Sequence, residues 1–314
     1  MDFSYADVCA ARKIVDLPPT PMWSYPALNA AAGATLFVKH ENVQPIGAFK
    51  VRGGLALLAA LSPADRARGT VTYSTGNHAQ SMAYASHVHG AKCTVVMPAA
   101  ADPAKAAAVE SWGAEVVLTG ADLAAAQAHA EELAERTGAR LISPGDTREL
   151  LAGVGTLYAE ILEARPGLDA IVVPVGSGTG AAAAAVVARE LAPHCAVIAV
   201  QSTASPAAHD SWRAGTPVHR PNRTRVDGLA TGRGFELPQR LMRAHLADFL
   251  LVTDEQIADA QRLLARAAHT LAEGAGAAAL AAVTTHPTTF AHREVAIVCT
   301  GANAGARELK SLGT

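Results

Sequence analysis

Cysteine is scarce in this chain of 314 residues: Cys9, Cys93, Cys195 and Cys299 lie far apart, and no two form a C-x-x-C pair. That excludes a disulfide-stapled module, a zinc cluster and a dithiol redox motif, and it fits a reducing compartment with the thiols as small buried hydrophobes. Aromatic residues make up only 4% and charged residues only 17%, against roughly 25% charged in typical globular domains. The 26 basic and 28 acidic residues give a formal net charge of -2, and no Lys/Arg block occurs. Without a concentrated positive field, neither nucleic acid nor an anionic membrane surface is an expected partner. The first residues carry Asp2 and Asp7 where an export signal would be basic and then apolar, so the cytoplasm is the expected compartment. One uncharged run, 170–188, reaches the ~18-residue length of a membrane span. Pro174, Gly176, Gly178 and Gly180 divide it, which reads as a buried strand, a turn and a helix.

What the chain does have is alanine and an alternation. Half of its residues are apolar, enough for two domains or one large one. Short runs rich in Val, Ile and Thr alternate with Ala-rich helical stretches, the pattern of parallel sheets covered by helices, so the class is α/β. Strands are expected at 35–41, 70–74, 93–98, 115–119, 141–143, 170–175, 196–201, 249–253 and 295–300. Among the helices between them are 77–89, 103–112, 122–137, 181–191 and 254–272. Residues 69–146 alone form a β-α-β-α-β-α-β stretch able to close a small sheet. The expected organisation is therefore two parallel-type open sheets: a small substrate-gating domain, 69–146, inserted in a large cofactor-binding domain of 1–68 and 147–314. The least regular segment, 201–234, contains Pro206, Pro217 and Pro221 and is a candidate wall or lid.

Three segments carry chemistry. In VVPVGSGTGAAAAA, 172–185, a strand runs into a glycine-rich turn that opens a helix, which aims backbone N–H groups and the positive helix end at one spot suited to phosphate. Gly176, Gly178 and Ala181 also meet a loose dinucleotide fingerprint, but the next strand ends in Gln201 where a ribose-binding acid is required. A turn that only packs helix on strand is the alternative. In STGNHAQ, 74–80, Ser74 or Thr75 can cap the helix that follows, and the free N–H groups beyond suit a carboxylate. In QPIGAFKVRGG, 44–54, Lys50 and Arg52 stand among apolar and glycine residues, and a lysine in such a pocket loses charge and becomes a nucleophile toward aldehydes. A snorkelling surface lysine is the plain alternative.

In combination, G-x-F-K-x-R-G, S-x-G-N-H, the phosphate turn and C-T-G-A-N at 299–303 resemble the fold type II pyridoxal-phosphate enzymes, most of all the threonine/serine dehydratase and serine racemase group. The likeness runs through ENVQPIGAFKVRGG (41–54), STGNHAQSMAYAS (74–86), KAAAVESWGAEVVLTG (105–120), VPVGSGTG (173–180), VDGLATG (226–232), EGAGAAALAAV (273–283) and CTGANA (299–304). The resemblance implies pyridoxal 5'-phosphate held on Lys50 as a Schiff base, with Lys50 moving the Cα proton once freed. It implies Phe49 packed on the ring, Asn77 bonded to the ring hydroxyl, and Gly176, Ser177, Gly178 and Thr179 around the phosphate. Thr300 would face the pyridine nitrogen, and a hydroxyl there leaves the ring a weaker electron sink, which favours elimination over transamination. Ser74, Thr75, Gly76 and His78 would hold the substrate carboxylate. By the same resemblance the protein is a homodimer acting on a small amino acid.

The departures from the family pattern concern the pocket and its rim. Ala48 replaces the usual Ser before Phe-Lys, Ser177 and Thr179 interrupt a four-glycine loop, and Ser143-Pro144-Gly145-Asp146 lacks the usual acidic pair. Gln201 stands where metal-stimulated members have a carboxylate, and no acid follows until Asp210, so no metal site is expected. The chain ends at Thr314 soon after the last motif, so no C-terminal regulatory domain of the kind some dehydratases carry is expected. The expected activity is an ammonia-lyase that eliminates the β-hydroxyl of an amino acid such as threonine or serine, giving a 2-oxo acid and ammonia. A racemase, for which Thr75 would be the second proton carrier, or a β-replacement enzyme is the alternative on this fold. A nicotinamide-dependent oxidoreductase and a non-catalytic amino-acid sensor are more remote ones.

Overall fold

The computed structural model describes residues 3–313. Its strands are β1 (Met22–Trp23), β2 (Thr35–His40), β3 (Thr70–Tyr73), β4 (Cys93–Met97), β5 (Glu115–Leu118), β6 (Arg140–Ile142), β7 (Ala170–Pro174), β8 (Ala196–Ser202), β9 (Asp248–Val252) and β10 (Glu294–Cys299). They form a six-stranded sheet in the order β1-β2-β10-β7-β8-β9 and a four-stranded sheet in the order β5-β4-β3-β6. Every pairing is parallel except that of β1 with β2. The central strands β10 and β7 are apolar almost throughout because helices cover both faces, so neither face needs polar alternation. Each strand expected from the sequence is present within a residue or two, and β1 is the addition: two residues on an antiparallel edge carry no pattern to read.

Helix ends show what sequence periodicity misses. The helix expected over 254–272 stops at Ala268, because His269 adopts a left-handed conformation with φ 52° and turns the chain toward the next helix, Gly274–Thr285. The helix expected over 181–191 starts earlier, as Thr179–Leu191, with left-handed Gly178 as its first cap. Helices Val51–Ala60, Arg148–Ala164 and Gly274–Thr285 contain glycines that read as breakers but serve close packing. A Cβ on Gly153, for instance, would sit 2.2 Å from the Arg52 carbonyl oxygen.

Two apolar layers sandwich the large sheet. One includes Leu157, Tyr158, Ala182 and Val298, and the other Leu36, Val172, Leu280 and Ile297. A third cluster joins Leu57 and Leu58 to Met82, Val95 and Met97, so the helix just after Lys50 helps build the core beneath the small sheet. Under that helix lies a buried ion cluster. Arg52, 1% exposed, forms a bidentate pair with Glu41 (Nε–Oε2 and Nη2–Oε1, both 2.8 Å) and also donates to Glu160 (Nη1–Oε1, 2.6 Å) and Thr156 Oγ1 (3.0 Å). Lys39 Nζ completes the cluster, donating to Glu160 Oε2 at 2.6 Å and to the Thr20 carbonyl at 2.8 Å. Two carboxylates and two cations thus cancel, and the hydrogen bonds compensate their removal from water.

The Ala-rich run 170–188 folds as β7, the glycine turn and the first part of the following helix. Among the described residues no helix is long and apolar enough to cross a membrane. All four cysteines are free; Cys93, Cys195 and Cys299 are buried and Cys9 is half-buried.

Candidate active site

In open parallel sheets, ligands bind beyond the carboxyl ends of the strands. Here the chain leaves β2, β10 and β7 of the large sheet and β3 of the small one into a single cavity. All twelve site residues inferred from the sequence line it: Phe49, Lys50, Ser74, Thr75, Gly76, Asn77, His78, Gly176, Ser177, Gly178, Thr179 and Thr300.

The turn that carries Lys50 is stitched to the segment after β10. Phe49 N–H donates to the Thr300 carbonyl at 3.0 Å, Ala302 N–H donates to the Gly47 carbonyl at 2.9 Å, and Gly47 turns the chain at φ 67°. This fixes Lys50 at the start of its helix. Its Nζ donates to Thr179 Oγ1 at 2.5 Å and Ser177 Oγ at 3.3 Å, and lies 4.9 Å from the Phe49 ring centre. Burial pulls the Lys50 amine down to about 8. The two hydroxyls that interrupt the glycines of the 176–180 turn are therefore the groups that receive this amine.

Gly178 has φ 91°, and a Cβ there would meet Pro238 Cβ at 2.9 Å; a Cβ on Gly176 would lie 2.3 Å from the Gly228 carbonyl oxygen. Only glycine lets the turn close this tightly over the start of the helix Thr179–Leu191. That helix has no side-chain cap, which leaves its first N–H groups for an anion.

The second helix start differs from expectation. Neither Ser74 nor Thr75 caps Asn77–Val88: Gly76 is the N-cap, and Ser74 Oγ instead accepts from Gly76 N–H at 3.3 Å. The capping hydroxyl must belong to the residue immediately before the helix, and glycine occupies that place. The opening N–H groups thus remain uncovered by a side chain. His78 is buried; its Nε2 lies 2.8 Å from Thr72 Oγ1, whose own proton goes to the Ile142 carbonyl at 2.8 Å. Nε2 must then carry the hydrogen. Burial, with Lys50 nearby, lowers His78 to about 3, so Nδ1 holds a lone pair and only the backbone N–H of His78 can serve an anion.

The sequence reading passed over several lining residues. Glu273, 6% exposed, accepts from Asn77 Nδ2 at 2.5 Å, and burial raises its carboxyl to about 7, with the Asn77 bond acting against that rise. Asn303 Nδ2 donates to Asn77 Oδ1 at 2.8 Å. Both stand in quoted motifs, EGAG and TGAN, where an isolated polar residue beside small ones was the available signal. Lys105 and Asp227 pair across the mouth. The irregular segment 201–234 does supply a wall, through Asp227, Gly228, Ala230 and Thr231, although part of it is the helix Ala207–Ala214. Gln201 lies apart from this cavity, its Oε1 accepting from Ala208 N–H at 3.2 Å and His209 N–H at 3.1 Å. Asp210 is likewise committed, to His209 Nδ1 at 2.9 Å and Arg220 Nε at 2.6 Å.

Comparison with known proteins agrees with this geometry. The L-threonine ammonia-lyase of Thermotoga maritima is 35% identical over 277 residues, 88% of this chain and 69% of that protein. A beta-hydroxyaspartate dehydratase of Paracoccus denitrificans is 31% identical over 96% of both chains. The solved structure of maize serine racemase superposes with a TM-score of 0.93 at 27% identity, covering 99% of this chain and 98% of that one. Residues 16–301 match the family described as pyridoxal-phosphate dependent enzyme. An amine whose hold on its proton is weakened by burial, set against a glycine-built anion turn at the ends of parallel strands, is what that cofactor needs, and the chain belongs to the family of pyridoxal-phosphate dependent enzymes.

Proposed function

We propose that the protein is an ammonia-lyase for a β-hydroxy amino acid, converting it to a 2-oxo acid and ammonia. The observation that carries this is the placement of Lys50: its amine, lowered to about 8, reaches the 176–179 turn from the start of the helix Val51–Ala60. The donor set fits pyridoxal phosphate. Gly176, Ser177, Gly178 and Thr179 would hold the phosphate at the uncapped helix start, Phe49 would pack on the ring and Asn77 would donate to the ring hydroxyl. Thr300 would offer a hydroxyl, not a carboxylate, to the pyridine nitrogen, and so would leave that nitrogen largely unprotonated.

When bound, the cofactor supplies the electron sink that acidifies Cα–H of the amino acid. Lys50, which has a substantial neutral fraction near pH 8, would take that proton at its Nζ. Ser74 and Thr75 hydroxyls, the Gly76 turn and the uncovered N–H groups of Asn77 and His78 would hold the substrate carboxylate, which would fix Cα over Lys50. The β-hydroxyl would leave with a proton as water, and hydrolysis of the resulting free enamine by one water would release the 2-oxo acid and ammonia. Residues 69–146 would carry the carboxylate-binding turn and gate the mouth, where Lys105 meets Asp227.

Racemisation is the second reading, because Thr75 brings a hydroxyl into the same cavity. Its β-methyl restricts χ1, which disfavours delivery of a proton to the opposite face of Cα. The test is a screen of serine, threonine and 3-hydroxyaspartate that follows ammonia, 2-oxo acid and, in heavy water, the inverted deuterated enantiomer. Elimination is expected to dominate, Thr75→Ala to keep much of it, and Lys50→Ala to abolish both outcomes. Faster inversion than ammonia release, lost selectively in Thr75→Ala, would make the protein a racemase.

A further inference from the structure

A carboxamide has a donor end and an acceptor end, and which one faces a ligand is decided by its other partners. Asn77 enters the cavity between two such partners. On one side Asn303 Nδ2 donates to Asn77 Oδ1 at 2.8 Å, and the same nitrogen donates to the Ile46 carbonyl at 2.9 Å. A backbone carbonyl can only accept, so it dictates that Asn303 turns its NH2 toward both neighbours. Asn77 must then turn its oxygen toward Asn303. On the other side Glu273 Oε1 accepts one Asn77 Nδ2 hydrogen at 2.5 Å. That leaves the second Nδ2 hydrogen without a partner among the described residues, on a residue lining the cavity. The chain of polarity runs from a fixed main-chain group, through Asn303, to the amide of Asn77.

We propose that Asn303 is the positioning residue that makes Asn77 present an N–H, and not its carbonyl, to the ring oxygen of the bound cofactor, with Glu273 as the opposing clamp. This rests on the reading above that Asn77 contacts the cofactor. Gly301 makes the arrangement possible, since a Cβ there would fall 2.2 Å from Glu273 Oε1 and 3.1 Å from Asn77 Nδ2. The Glu273 carboxyl, raised to about 7 by burial, remains an acceptor at Oε1 whether or not its other oxygen holds a proton. The N–H donated by Asn77 stabilises a deprotonated ring oxygen, so misorienting the amide should weaken cofactor binding and raise the pH midpoint of the holoprotein's visible absorption.

The experiment is a double-mutant cycle on the holoprotein with Asn303→Ala and Asn77→Ala, reading the cofactor dissociation constant and that absorption midpoint. In the parent, Asn303→Ala should raise the dissociation constant about tenfold or more, the worth of a hydrogen bond to a charged group, and move the midpoint up. In the Asn77→Ala background it should change the constant by less than about twofold, because the group it acts through is gone. Asn303→Asp, equal in size but without the two donors, should behave as Asn303→Ala and replaces it if that variant does not fold. Equal shifts in both backgrounds, or no shift in the parent, would overturn the proposal while borohydride still fixes the cofactor on Lys50. A borohydride label on another lysine would overturn the reading beneath it as well.

Discussion

The amine of Lys50 offers a rate that can be calculated before it is measured. Only the neutral form attacks an aldehyde, and burial lowers this amine from its ordinary 10.5 to about 8. At pH 7 about a tenth of it is then neutral, some 300-fold more than for an ordinary lysine. Capture of pyridoxal phosphate by the apoprotein, followed by stopped-flow absorbance, should therefore quicken about tenfold per pH unit below pH 7, about fivefold between pH 7 and 8, and level off above that. Free N-acetyl-lysine amide, mixed under the same conditions, corrects for titration of the cofactor itself. Thr179→Val tests the cause: it removes the hydroxyl that accepts from Nζ at 2.5 Å, and that hydroxyl favours the charged amine. The break should move to lower pH in this variant. A wild-type rate still rising tenfold per unit at pH 9 would refute the reasoning, and a Thr179→Val break at higher pH would show that the hydroxyl acts in the opposite sense.

Two other outcomes follow from groups with no room to adjust. Gly178→Ala places a Cβ 2.9 Å from Pro238 and strains a backbone with φ 91°, which costs about 1–2 kcal/mol in conformation alone. Cofactor retention on gel filtration should fall well below wild type, and undiminished retention would separate the phosphate from this turn. Arg52→Met leaves Glu41 and Glu160 buried with only Lys39 between them, so urea unfolding should show a loss of about 3–5 kcal/mol; a loss below about 1 kcal/mol would mean that the cluster is open to water.

Sequence alone reached far where the signal was local. Each strand apart from β1 is marked by its own composition, and Lys50, Gly178 and Thr300 sit in motifs a few residues long. The misses share a different property. Arg52 was visible as a charge among apolar residues, but its partner Glu160 lies 108 positions away, and nothing in either segment shows that the two meet. Asn77 finds Asn303 at 226 positions and Glu273 at 196. Polar relays assembled from distant segments leave no periodicity, so only the folded chain displays them. The end of the helix at Ala268 was hidden for a local reason, since a histidine takes the left-handed position that a glycine would have announced.

The helix that begins at Thr179 is buried on all sides along its first ten residues, Thr179 to Ala188, and meets solvent only near Arg189. At physiological ionic strength, mobile ions screen exposed charges over roughly 8 Å. No ions can line the flank of this helix, so a phosphate held at its start would feel the partial positive charge there with less screening than at an exposed helix end. Affinity built this way would depend less on the ionic composition of the surroundings than that of a phosphate site made of surface lysines. The alanines that looked like filler in the sequence therefore serve as insulation.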